Sequence, residues 1–287
     1  MTKLSVAGAI RFAYGFAFEQ IGAIIALVWL PLLIVAVLQF LPYALGTAWP
    51  GGSPVEQAGQ SALNLAFSTA ALVLYAMNCV AVTRQALGHR KPEATFQFAL
   101  GWPEWRMFVA IVICGFLLVA TIGLYAIGGR AIFAAAHGAP SLAIGAAAYA
   151  IAGILLVAFL VLRLIFLLPP IVVAEERVDI VRAWLLSRRN FWRILAIVLA
   201  VTIPLLAVQC GAIAAIVGPG LFAPLPDSST AATLALQARI AMIDQHMPAM
   251  IGLALVLAPF SLGLTLGAAV FSYRALAPAK PAPERTS

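Results

Sequence analysis

The side chains able to do chemistry in this chain crowd into one stretch, Arg163 to Ile194. Arg163 lies inside an apolar run and is followed by Pro169-Pro170, the acidic pair Glu175-Glu176 and Asp179. Then come Arg177, Arg182, Arg188, Arg189 and Arg193, interleaved with Trp184 and Trp192. Guanidinium groups beside indoles at the end of an apolar run suit the headgroup level of a bilayer, where arginine meets phosphate and tryptophan sits at the interface. Arg163, the five later arginines and both tryptophans are therefore candidate ligands of an anionic lipid. The same basic segment would equally serve as a docking face for a protein partner.

Arg163 is the sharpest of these. Nearly every residue between it and Glu175 is apolar, so a straight helix sets it roughly 15 Å from the membrane boundary. A charge at that depth is costly and rarely faces lipid. One reading makes it an anchor for an anionic group, either a lipid phosphate or an intramembrane carboxylate. The other ends the span at Leu168 and lets Arg163 snorkel to the interface. Glu19, which opens the first apolar run, is a candidate partner for Arg163 or Arg106, and otherwise a carboxylate near a helix start. Glu175 and Glu176 are the other candidate partners. Paired carboxylates can do acid–base work, but no accompanying pocket motif is present, and acids in a first helical turn complement the helix dipole. No catalytic residue is assigned, and the chain reads as non-enzymatic.

His89, His137 and His246 fall in separate loops, and Cys79, Cys114 and Cys210 lie apart inside apolar runs, so neither a metal site nor a disulfide framework is expected. Phosphate-binding glycine loops, nucleophile elbows and zinc-protease motifs are absent from the sequence, and no cofactor is implied. Asn64, Asn78, Gln209, Ser261 and Thr265 read as interhelical hydrogen-bonding groups, Gly263 and Gly267 as a close helix contact, and Asn190 as a helix cap.

The elements that must carry these groups follow from composition. Of 287 residues, 64% are hydrophobic and 9% charged, with a mean hydropathy of +1.05. Apolar runs of roughly 20 residues recur along the chain, the signature of membrane-spanning helices. The runs are apolar on every face, which excludes the alternation of a membrane β-barrel. Six spans are predicted, at about 21–41, 61–83, 107–128, 142–172, 192–217 and 248–273, the fourth tilting or breaking at Pro169-Pro170. The first run is too long and starts too late for a secretory signal, so residues 1–18 are read as a helix lying on the membrane. The segment 218–247 is read as a long polar loop.

Of the 17 basic residues, all but Arg130, Arg163 and Arg239 fall on one side of this topology. The positive-inside rule places that side, and both termini, in the cytoplasm. The net charge of +7 is thus a topology signal, and nucleic acid is not an expected partner. A threefold internal repeat is also expected, with units 1–85, 86–175 and 176–275, each a pre-span helix, an outward span and an inward span. Trp105-Arg106 pairs with Trp192-Arg193, Phe12-Ala13-x-Gly15 with Phe98-Ala99-x-Gly101, and Leu30-Pro31-Leu32-Leu33 with Ile203-Pro204-Leu205-Leu206.

The run from Arg163 through Leu168-Pro169-Pro170, the acidic pair, Ala183-Trp184-Leu185-Leu186-Ser187 and Asn190-Phe191-Trp192-Arg193 resembles a set of bacterial six-span proteins. These include the membrane domain of glycerophosphoryl diester phosphodiesterases and the YciC-like inner-membrane proteins. In the former the phosphodiesterase activity belongs to a separate soluble barrel. This chain has no room for that barrel and no His, Glu and Asp cluster to replace it, so the activity is not carried over. The expectation is a single polytopic domain of the bacterial cytoplasmic membrane that binds anionic lipid or assists a partner, a protein or a second copy of itself. A transporter or translocator, with spans broken at Pro31, Pro204 and Pro259 around a central site, is the alternative.

Overall fold

The computed structural model describes residues 4–48, 54–89, 101–135, 140–224 and 229–277, and among these every regular element is helical. In chain order the helices are α1 (Val6–Glu19), α2 (Ile21–Ala48), α3 (Pro54–Ala86), α4 (Trp102–Ala135), α5 (Pro140–Leu160), α6 (Leu168–Glu175), α7 (Ile180–Ser187), α8 (Phe191–Val217), α9 (Ser229–Gln245) and α10 (Met247–Leu276). Six stretches are long and apolar enough to cross a membrane: Ile21–Leu41, Ser61–Ala86, Trp102–Arg130, Ala148–Glu175, Phe191–Val217 and Met247–Leu276. The chain is an all-α, multi-pass membrane protein. Helices are the expected answer here, because hydrocarbon offers no partner for an open backbone N–H or C=O.

Two local readings change. The segment 218–247 is not simply a loop: after a 3₁₀ turn at Pro219–Phe222, α9 occupies Ser229–Gln245. The prolines at 31, 204 and 259 do not break their spans, since α2, α8 and α10 run through them. The break in the fourth span comes before Pro169-Pro170. Neither proline has an N–H to return to the carbonyls of Ile165 and Phe166, so the α ladder cannot continue across them. The chain instead widens into a π turn over Val161–Ile165, closed by Phe166 N–H donating to the Val161 carbonyl at 3.3 Å. It restarts as α6 with both prolines in the first turn, where a missing donor costs nothing. Arg163 sits in that π turn.

Packing is built on the second span of each expected unit. α3, α6 and α10 touch one another, and α3 is buried on every side from Ala76 to Thr83. Each second span also meets the first span of the following unit: α3 meets α4, the π turn meets α8, and α10 meets α2. The pre-span helices of the first and third units, α1 and α7, lie against the second span of the unit before, α10 and the π turn with α6 respectively. The corresponding segment of the middle unit lies outside the described residues.

α1 is a packed member of this bundle rather than only a surface helix. Ser5 caps it, its Oγ accepting from Gly8 N–H at 3.2 Å. Ala9, Ala13 and Ala17 form a buried small-residue stripe, with Ala17 against Gly263 and Ala13 against Gly267 of α10. A Cβ at Gly263 would stand 2.9 Å from Ile24 Cδ1 and 3.3 Å from Ala17 Cα. At Gly267 it would stand 3.1 Å from Phe16 Cδ1 and 3.4 Å from Ala13 Cα. Only small residues allow two helices that close an approach. The core is one-ended: burial concentrates at residues 74–87, 162–172 and 262–270, while the other halves of α4, α5, α8 and α10 expose large apolar side chains.

Candidate anion site at a caged arginine

Half-buried Arg163 leaves the π turn among three aromatic rings from three elements. The guanidinium carbon lies 4.4 Å from the ring centroid of Trp184 in α7, 4.9 Å from Phe159 in α5 and 5.8 Å from Phe191 at the start of α8. The rings brace each other, Phe159 packing edge-on to Trp184 and tilted against Phe191. Their electron-rich faces stabilise a cation by about 0.5–2 kcal/mol each where water is excluded. They offer nothing to the N–H donors. Arg163 Nε is buried without a hydrogen-bond partner, and the side chain forms no hydrogen bond or ion pair among the described residues. An orphaned buried donor costs about 1–3 kcal/mol. The cage therefore settles the charge and leaves the Nε–H without an acceptor among the described residues.

None of the expected carboxylate partners reaches Arg163. Glu19 is exposed and lines a separate cavity beside α1. Glu175 holds a cluster at the end of α6. It accepts from Arg177 Nη2 at 2.8 Å and Nε at 3.1 Å, from Arg182 Nε at 3.4 Å and from the Tyr273 hydroxyl of α10 at 3.1 Å. This hydrogen bonding raises Arg177 above the ordinary arginine range. Asp179 joins through Arg177 Nη2 at 3.4 Å and caps α7 by accepting from Arg182 N–H at 2.7 Å. Glu176 is the residue that turns the chain, with φ of +54°, and its exposed carboxylate stands 3.9 Å from Arg106 Nη1. The acidic pair ties α6, α7, α4 and α10 together.

The eight candidate lipid ligands are thus divided. Arg163 and Trp184 meet in the cage, and Arg177 and Arg182 are held by Glu175. Arg193 Nη1 donates to the Leu4 carbonyl at 3.1 Å, fastening the start of α1 to α8. Arg188, Arg189 and Trp192 are exposed. Asn190 stands at the N-cap of α8, but through its carbonyl, which accepts from Arg193 and Ile194 N–H, and not through its side chain.

Sequence reasoning missed Glu104. It is buried, pairs with Arg84 at 3.1 Å and accepts from Gly101 N–H at 3.0 Å. The Gly101-x-x-Glu104 spacing just before an apolar run is half of a capping box and was the available signal. Within the spans, Asn78 is fully buried with neither amide atom bonded. Ser261 and Thr265 line a cavity of about 170 Å³ with Tyr75, and Asn64 a second one that also reaches Tyr75. Cys79 and Cys114 are buried and Cys210 is exposed, all unpaired. Among the described residues no group of three His, Cys, Asp or Glu side chains is placed to hold a metal; His137 lies outside them. No protein-family model, curated protein or solved structure matches the chain.

Proposed function

We propose that the chain is a non-enzymatic module of the bacterial cytoplasmic membrane, with cytoplasmic termini and three related units, that holds the phosphate of an anionic lipid at Arg163. One observation carries the reading: a guanidinium whose charge is caged by Phe159, Trp184 and Phe191 while its donors find no acceptor among the described residues. A phosphate would meet the guanidinium with charge-assisted bonds. The outward-facing Arg188, Arg189 and Trp192 suit the same headgroup layer. The likeness of this segment to the membrane domain of glycerophosphoryl diester phosphodiesterases and to YciC-like proteins supports the setting. The engagement of Glu175 with two arginines and a tyrosine supports a structural role for the acidic pair, not an acid–base one.

Native mass spectrometry of the protein released from anionic-lipid nanodiscs tests this. Arg163→Leu is expected to lose a stoichiometric lipid that the wild type retains, and Arg163→Lys to weaken its retention, because an ammonium lacks the guanidinium fork. Equal retention in the wild type and Arg163→Leu would remove the site. A second reading, a translocator, draws support from the two cavities that share Tyr75 and from the unbonded Asn78. Lipid flipping in proteoliposomes, reduced by Asn78→Leu, is what that reading requires.

A further inference from the structure

A second polar site lies apart from Arg163, along α1. Arg11, Gly15 and Glu19 recur every four residues and so share one helix face, with Arg11 and Glu19 about 12 Å apart along the axis. That face borders a cavity of about 480 Å³ whose other walls bring in Arg274 from the end of α10 and Gln85 from the end of α3. The side chains of Arg11, Arg274 and Glu19 form no hydrogen bond or ion pair among the described residues. Gly15 leaves room for the Glu19 carboxylate, whose Oε1 would stand 3.7 Å from a Cβ there. Phe12 and Phe16 stack beneath as an apolar floor. Gln85 Nε2 donates to Gln20 Oε1 at 3.3 Å and fixes the side wall.

The cleft is dipolar. Two guanidinium groups line it from α1 and α10, and the Glu19 carboxylate reaches back over Gly15. We infer that it takes a zwitterionic phosphoethanolamine group, with the phosphate between Arg11 and Arg274 and the ammonium on Glu19. A primary ammonium suits Glu19, since it brings three N–H donors to an acceptor-only carboxylate. A quaternary ammonium has no donor and seeks aromatic faces instead. The group reaches the cleft either on a membrane lipid or as a free soluble phosphoethanolamine.

The test uses the full chain in nanodiscs of equal parts phosphatidylethanolamine, phosphatidylcholine and phosphatidylglycerol, with co-released lipid read by native mass spectrometry. The wild type is expected to retain phosphatidylethanolamine over phosphatidylcholine by roughly fivefold. Glu19→Gln is expected to bring that ratio to parity, Gly15→Leu to abolish retention by crowding the Glu19 carboxylate out of the cleft, and Arg11→Gln with Arg274→Gln to abolish it by removing the phosphate partners. Retention of phosphatidylglycerol, which Arg163→Leu is expected to lose, is read separately from the ratio of phosphatidylethanolamine to phosphatidylcholine, so the two sites are judged on different lipids. All four positions tested in the cleft are open to solvent or cavity, and matched thermal transitions confirm that each variant folds. Competition by free phosphoethanolamine assigns the soluble ligand; its failure to compete assigns the lipid. A wild-type ratio near one, or a ratio unmoved by Glu19→Gln and Gly15→Leu in folded protein, overturns the inference.

Discussion

Three rings can solvate the charge of Arg163, but they cannot satisfy its five N–H donors. That imbalance is the difference between a structural arginine and a receptive one. Glu175 is the opposite case, a carboxylate already bound by Arg177, Arg182 and Tyr273. Glu175→Gln is expected to lower stability by about 1–3 kcal/mol, read as a fall in the thermal midpoint, because two arginines lose their anion. An unchanged midpoint would contradict its role as a structural hub. Arg163 stood out in the sequence as a charge inside an apolar run. Its surroundings did not, because Phe159, Trp184 and Phe191 come from three elements that only tertiary packing brings together. Trp184 was therefore read as a headgroup anchor when it is a wall of the cage.

At the scale of elements, the pairing of α1 with α10 decides whether the bundle closes. Gly263 and Gly267 were visible as a close-contact motif, whereas nothing in residues 9–17 marked them as its partner. Alanine three times at a spacing of four is common in apolar helices and specifies no neighbour. Gly267→Leu is expected to cost about 1–3 kcal/mol by forcing Phe16 and Ala13 off α10. A thermal midpoint equal to wild type would mean that the two helices do not depend on this contact. The span limits were read within a few residues for most helices, since an apolar run announces itself by length alone. α9 was missed for the complementary reason: the segment Ser229–Gln245 is rich in helix formers but too polar to stand out against its neighbours. The π turn was half legible. Two adjacent prolines announced a break, but where the strain is taken up depends on the packing of the turn against α7 and α8.

Burial concentrates at the end where Arg84, Arg106, Arg177, Arg182 and Arg193 make their contacts, while the other halves of α4, α5, α8 and α10 expose large apolar side chains. The charge asymmetry of the sequence predicts the same polarity, with the Glu175 cluster and the cleft on α1 toward the basic side. That side is expected to be cytoplasmic. A fluorescent protein fused after Ser287 should then fluoresce, and an alkaline phosphatase fused there should be inactive; the reverse pattern would invert the topology. The central claim is that a lipid phosphate sits on the caged guanidinium. The most direct measurement is solid-state magnetic resonance of the protein in anionic bilayers, with nitrogen-15 in arginine and natural phosphorus-31 in the lipid. The account expects the signal that Arg163→Lys removes to be dephased by phosphorus at less than about 5 Å, the reach of a charge-assisted hydrogen bond to phosphate. An Arg163 signal untouched by phosphorus, in protein that is otherwise folded, would contradict it.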